Sequence, residues 1–331
     1  MPPLDTLDDT NSPVSVATQN ELFPQDAQSR RAANYINKVW DIRTSDAEGE
    51  GALAFMARCF IQATLPHSDP GDVPLWGRKN GIYTLTIKPS YVFDSNNKPK
   101  NVGLPYGSIP RLLFIWMTTE AIRTKEPRLM LGNSLSEFMS KLGLGSSTGG
   151  KNGSITRLKN QSYKLFRSEF TLTQEQQGGV HEKDLKISNE RMLFWNPRFP
   201  DQESLWESWV NLTPDFFEAI TKNPAPMDMR ALKALKNSSM ALDIYMWLSH
   251  RTFYLSKPQR LSWKALEGQI GANYSTEKAL RQNVRKAVNK IRVFWPDLNV
   301  DFDNPEVITL YPSKSIITPR EMRQGKLLFE G

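Results

Sequence analysis

One helix-length stretch of the chain gathers side chains of the kinds that bind nucleic acid. In TEKALRQNVRKAVNKIRVF, residues 276–294, Lys278, Arg281, Gln282, Arg285, Asn289 and Arg292 fall on one sector, with Lys286 beside it. At about 100° per residue, Leu280, Val284, Ala287, Val288 and Ile291 share an arc on another side, the arc expected to be buried. Arg can donate two parallel hydrogen bonds to a guanine edge, and Asn and Gln can engage adenine. Lys serves chiefly as a point contact for phosphate. A merely solvated helix face usually mixes signs, whereas Glu277, at the amino end, is the one acid here.

A shorter stretch repeats the pattern. In SITRLKNQSYKLFR, residues 154–167, Ile155, Leu158, Ser162, Leu165 and Phe166 are expected to face inward. Arg157, Asn160, Gln161, Lys164 and Arg167 are expected to face out, and the stretch has no acid at all. Lys164, Lys278 and Lys286 are the expected phosphate contacts. Arg157, Arg167, Arg281, Arg285 and Arg292 are the expected base readers. Two such helices can enter successive major grooves on one face of a duplex, about 34–36 Å apart.

Catalytic chemistry finds little support. His67, His181 and His250 lie far apart, with no HxH or HExxH spacing, so neither a zinc site nor a metal-dependent nickase is expected. His250, within an apolar helix, is read as structural. GSSTGGK, residues 145–151, fits GxxxxGK, but Asn152 stands where Ser or Thr would hold Mg²⁺, and the stretch follows a helix. It is read as a connector. No cofactor, no metal and no enzymatic activity are expected.

The elements that must position the two basic helices come in a matched order. In residues 109–144 and again in 241–272 an apolar helix carries a Trp (Trp116, Trp247), and a Pro follows 11 residues later (Pro127, Pro258). Next come a short apolar strand, a Ser cap (Ser134, Ser262) and a helix stopped by Gly nine residues on (Gly143, Gly271). A basic helix and a hairpin complete each copy. The first hairpin is read in EFTLTQEQQGGVHEKDLKISNERMLFW, turning at Gly178-Gly179, and the second in LNVDFDNPEVITLYP, turning at Asp303-Asn304-Pro305. Leu53, Met56, Phe60 and Ala63 read as one helical face, 66–80 as a loop, 81–87 as a strand, and Trp206 and Trp209 as part of a core strand.

The expected fold is therefore α+β, mainly helical, with two tandem winged-helix domains forming an internal pseudo-repeat. A disordered acidic arm, 1–30, precedes an amino-terminal domain over 31–212 and a carboxyl-terminal domain over 213–331. The arm carries Asp5, Asp8, Asp9, Glu21 and Asp26 against Arg30 alone, so the body is more basic than the net +7 of the whole. A pI near 9.3 favours an anionic partner. A single cysteine, Cys59, excludes an internal disulfide. The start MPPLDTLDD lacks the apolar core of a signal peptide, and no apolar run reaches membrane-span length. A cytoplasmic protein with no membrane partner is expected.

From Leu53 to about Phe170 the chain resembles the plasmid RepA family of replication initiators. The strings that carry this are QATLPHSDP, RKNGIYTLTI, GLPYGSIPRLL, TTEAIRTKEPRLMLGNSLSEFMSKLGL and STGGKNGSITRLKNQ; the carboxyl half is similar more diffusely, through KALRQNVRKAVNKIRVFWP. The resemblance implies a bacterial, nucleoid- or plasmid-associated initiator of DNA replication. It would bind repeated double-stranded sites (iterons) at the origin and recruit host proteins, the helicase and the host initiator. The resemblance also implies homodimerisation through the amino-terminal domain and control of copy number. The alternative is a winged-helix transcriptional regulator acting only by blocking a promoter.

Overall fold

The computed structural model describes residues 27–45, 47–145, 148–150, 153–193, 208–270 and 272–317, with the backbone alone for 27–35. The chain begins with α1 (Ala27–Thr44), β1 (Leu53–Met56) and α2 (Arg58–Gln62). Two hairpins follow: β2 (Trp76–Asn80) with β3 (Tyr83–Lys88), and β4 (Tyr91–Phe93) with β5 (Pro99–Asn101). Next are α3 (Ser108–Thr124), β6 (Arg128–Gly132), α4 (Leu135–Lys141), α5 (Ser154–Arg167), β7 (Glu169–Gln176), β8 (Gly179–Lys186), β9 (Ser188–Met192) and β10 (Ser208–Leu212). The remainder comprises α6 (Pro214–Thr221), β11 (Ala225–Asp228), α7 (Met229–Leu235), α8 (Ser239–Phe253), β12 (Gln259–Ser262), α9 (Trp263–Gln269), α10 (Glu277–Arg292), β13 (Val300–Asp301) and β14 (Val307–Leu310). The fold is mixed α+β, with ten helices and five small sheets among the described residues.

Local chemistry sets the helix ends where the sequence pattern put them. The Ser134 hydroxyl accepts from the Glu137 N–H at 3.1 Å, and Ser262 accepts from the Ala265 N–H at 3.2 Å. Each satisfies a donor that the first helical turn leaves unpaired. Gly143 closes α4 in the left-handed region at φ 69°, and a Cβ there would lie 2.4 Å from the Lys233 side chain. Gly271, Lys151, Asn152 and Trp206 lie outside the described residues, as do 1–26 of the expected arm; residues 27–30 already belong to α1.

Three local expectations fail, two of them because distant partners override local pattern. The stretch holding Leu53, Met56, Phe60 and Ala63 is not one helix. Leu53–Met56 pairs antiparallel with Ala225–Asp228, and helix begins only at Arg58. The expected loop 66–80 contains β2, held against β3. The hairpin β7–β8, turning at Gly178 with φ 88°, does not form a wing beside β6. It extends β2–β3 into a sheet of order β2-β3-β7-β8. The chain then breaks at Ile187, and the separate strand β9 joins a sheet of order β6-β10-β9. Trp209 sits in β10, under the Arg128 guanidinium at 4.1 Å. The carboxyl-terminal sheet has the same order, β12-β14-β13: the first strand against the third, the third against the second.

Both Trp-bearing helices lie in the interior. In α3, Leu112 through Met117 are all buried, and in α8 so are Met240 through Leu248. Helices apolar on every side can be stable only when surrounded. Phe60 stacks on Phe114 at 4.1 Å, with Phe170 edge-on to both rings and Phe216 tilted against them. Tyr245 meets Phe294 and Trp295 beside α10. These groups form one continuous apolar cluster that spans both copies of the motif.

One polar network is set into that core. The fully buried Arg111 of α3 donates to both oxygens of Asp243 on α8, at 2.6 Å and 2.7 Å. Its other donors reach the carbonyls of Leu65, Pro66 and Gly107 at 2.6, 3.1 and 2.7 Å. His67 Nε2 lies 2.7 Å from Asp243 Oδ2. An ionised carboxylate can only accept, so Nε2 carries the proton. Burial alone would raise the Asp243 pKa, but the adjacent Arg111, aided by hydrogen bonds from Arg111 and His67, holds it down at about 2. Burial pushes His67 below its ordinary 6.5. His250 falls to about 4 through burial and the nearby Arg58 and Arg251.

A pH dependence follows. A His whose folded pKa is depressed stays neutral while the unfolded chain takes up its proton, so stability falls with pH between the unfolded and folded values. We expect His250 alone to cost about 2 kcal/mol between pH 7 and pH 5, with His67 adding to it below 6.5. The Asp243 contribution persists until pH falls below the ordinary carboxylate range toward 2. Urea unfolding at both pH values checks this. His250→Gln should flatten the profile, and a flat wild-type profile would contradict the assignment.

Candidate nucleic-acid interface

α10 is built from its buried side outward. Leu280, Val284, Ala287, Val288 and Ile291 face the core, and the Thr276 hydroxyl caps the helix by accepting from the Ala279 N–H at 3.2 Å. Lys278, Gln282, Lys286 and Asn289 are exposed. The three arginines are held in place. Arg281 donates twice to Glu277 Oε1, at 3.0 and 2.6 Å. Arg285 donates to the Phe302 carbonyl at 2.5 Å and lies over its ring. Arg292 reaches the carbonyls of Leu298, at 3.4 Å, and Val300. Arg285 and Asn289 thus line a groove between α10 and the β13–β14 hairpin, whose other wall includes Asp301, Phe302 and Tyr311. Arg292 braces the hairpin from half-buried ground, and an Arg with five donors can do this and still present an N–H outward.

α5 carries its cations differently. Arg157 and Asn160 are exposed, as expected. Gln161 is not on the outward face: it is buried, and its carboxamide oxygen accepts from the Tyr106 N–H at 2.8 Å. At about 100° per residue it lies only about 40° from Leu165, on the shoulder of the apolar arc. Lys164 is half-buried, its ammonium 4.9 Å from the Tyr106 ring centre and 3.7 Å from Asp69. Arg167 lies over the ring of Tyr163 at 4.6 Å.

Arg157, Asn160 and Lys164 therefore line a cleft whose other side holds Tyr106, Ser108 and Asn237. The residues from 66–69 and 102–109 that shape this cleft carried no functional signal in the sequence beyond the family resemblance of QATLPHSDP and GLPYGSIPRLL. The exposed Tyr163 was also missed, although its place four residues before Arg167 put the two on one face. Among the described residues, no three His, Cys, Asp or Glu side chains converge as a metal site would require. No helix among them is long and apolar enough to cross a membrane.

Residues 104–265 match the family model described as plasmid encoded RepA protein. The resemblance read from the sequence stands on this span, which includes α3 through α8 and ends within α9, before α10. Among solved structures, a crystal structure of domains 2 and 3 of RctB is similar at 10% identity and a TM-score of 0.45, covering 76% of this chain and 94% of that one. No curated protein matches the chain.

Proposed function

We propose that this protein is a plasmid replication initiator that binds repeated double-stranded sites at its origin and recruits host replication proteins there. The observation that carries the proposal is the family match over residues 104–265, which encloses α5 and its outward cations. The topology supports a twin winged-helix arrangement. α3, β6, α4, α5, β9 and β10 run in the same order as α8, β12, α9, α10, β13 and β14, and both sheets pair first with third and third with second strand. In this reading β7–β8 is an insertion after the third helix of the first unit, and the 31–212 and 213–331 division follows the repeat.

In the proposed mechanism α10 lies in a major groove. Gln282 and Asn289 reach base edges from its exposed face, and Arg281 and Arg285 act from fixed positions. Preset arginines lose little side-chain freedom on binding, which favours affinity. Lys278 and Lys286 contact phosphates and set the register. α5 presents Arg157 and Asn160 to a second groove. The work is binding and duplex positioning, without a catalytic step or a cofactor. A homodimer, formed through the amino-terminal unit, would restrain copy number.

The test is binding to fragments of the replicon that carries this gene, over a salt series. One repeat-containing fragment should stay bound at salt concentrations that release the rest. Uniform binding that falls equally steeply with salt on every fragment would leave only a non-specific polycation and sink the initiator reading. A plasmid carrying only the bound site and this gene should replicate; failure to do so alongside tight site binding would favour a promoter-blocking regulator.

A further inference from the structure

The carboxyl end of α5 opens onto a cleft of about 540 Å³ that the proposed base contacts do not use. Four cations line it: Arg167 at the end of α5, Lys88 at the end of β3, Lys186 at the end of β8, and Arg191 in β9. Glu169 is the one carboxylate among the described lining residues, and it is engaged by Lys186 at 2.9 Å. Arg167 and Arg191 line the same cleft and are close enough to repel each other. Burial, and then the charge of Arg167, lowers the Arg191 pKa. Among the described residues, the Nε of Arg167 is buried and without a hydrogen-bond partner, and Arg191 makes one hydrogen bond, a long contact of 3.4 Å from Nη1 to the Ser188 hydroxyl.

Like charges held together and partly stripped of water are costly unless something compensates. The carboxyl terminus of α5 favours a cation in its last turn, which accounts for Arg167. It does not account for Arg191 or Lys88, which arrive from two other elements. An anion with several acceptor oxygens would supply the missing partners, and guanidinium pairs fit a phosphate by parallel N–H···O bonds.

We infer that Arg167, Arg191 and Lys88 form a clamp for a backbone phosphate of bound DNA, flanking the α5 contact and extending it onto β9 and β3. The inference rests on the DNA-binding reading above and adds to it Arg191 and Lys88, which lie outside both basic helices. The clamp touches no base, so it contributes affinity and register but no sequence preference.

The test uses the full chain on the tightest-binding and an unrelated fragment over a salt series. Arg191→Ala and Lys88→Ala should each lower the slope of log K against log salt by about one and weaken both fragments about fivefold to tenfold at about 0.1 M salt. The preference between fragments should not change, and Arg191→Lys should recover the slope. Lys88 is exposed, so its variant still decides the matter if Arg191→Ala does not fold. Wild-type slopes in both alanine variants, with wild-type DNA binding intact, overturn the clamp alone. A wild-type chain that binds no duplex overturns the clamp and the DNA reading together. Variants that bind DNA as wild type does, but lose thermal stabilisation by inorganic phosphate, would assign the site to a free phosphate ester and overturn the DNA clamp.

Discussion

Asp243→Ala is expected to destabilise the protein by about 3–5 kcal/mol, a large share of the stability that holds an ordinary domain together. The loss comes from what remains behind. Arg111 is fully buried, and without Asp243 its charge would face only the carbonyls of Leu65, Pro66 and Gly107. Desolvation of a guanidinium is repaid by a bidentate carboxylate and not by carbonyls alone. Arg111→Ala should cost a similar amount, because it leaves Asp243 ionised in the core beside His67 alone. The two losses should not add, since either change removes the same pair. Lys141→Ala, which breaks the exposed Lys141–Glu137 pair at 2.9 Å, should cost less than about 1 kcal/mol. Chemical unfolding of the three single variants and the Arg111/Asp243 double variant measures all of this. Losses below about 1 kcal/mol for both Asp243→Ala and Arg111→Ala would mean that the network does not hold α3 against α8.

The second large effect concerns binding. The double variant Arg281→Ala/Arg285→Ala should lose about 2–5 kcal/mol of affinity for the specific site, roughly thirtyfold to several-thousandfold in Kd. Both side chains are already oriented, Arg281 by Glu277 and Arg285 by the Phe302 carbonyl, so the loss removes contacts made at low entropic cost. Gln282→Ala/Asn289→Ala provides the contrast. Neutral amides release no counterions, so the salt slope should hold while discrimination between sites relaxes. Equal affinity of wild type and the arginine double variant for every fragment would remove α10 from the interface. Thermal unfolding checks that neither variant has lost its fold.

Much of the local structure is legible in the order of the amino acids. The basic helices are expected over 154–167 and 276–294, and they occupy Ser154–Arg167 and Glu277–Arg292. Ser134 and Ser262 cap as expected because a hydroxyl beside a helix start needs only residues three positions away. The apolar arc of α10 is buried residue for residue. Gln161 escapes the same reasoning. An angular position on the shoulder of a helix does not say which loop will cover it, and Tyr106 lies 55 residues earlier.

Period, capping chemistry and charge act over a few residues, and these the amino-acid order determined on its own: two cationic helices, the Ser caps of the helices that precede them, and a repeated helix–strand–helix–helix sequence. Pairings across long stretches of chain were decided only in the folded molecule. β1 finds β11 more than 160 residues away, β6 takes β10 in place of the hairpin next to α5, and Arg111 meets Asp243 across 132 residues. Each long-range contact is selected by the whole core at once, because a strand edge or a buried charge is stable only where a partner of the right geometry is already held. The same holds for the interface. The kinds of residue that could meet DNA are written in the helices, but which of them stay exposed, which are locked onto a carbonyl and which acquire a neighbour such as Arg191 depends on elements that no local pattern brings together.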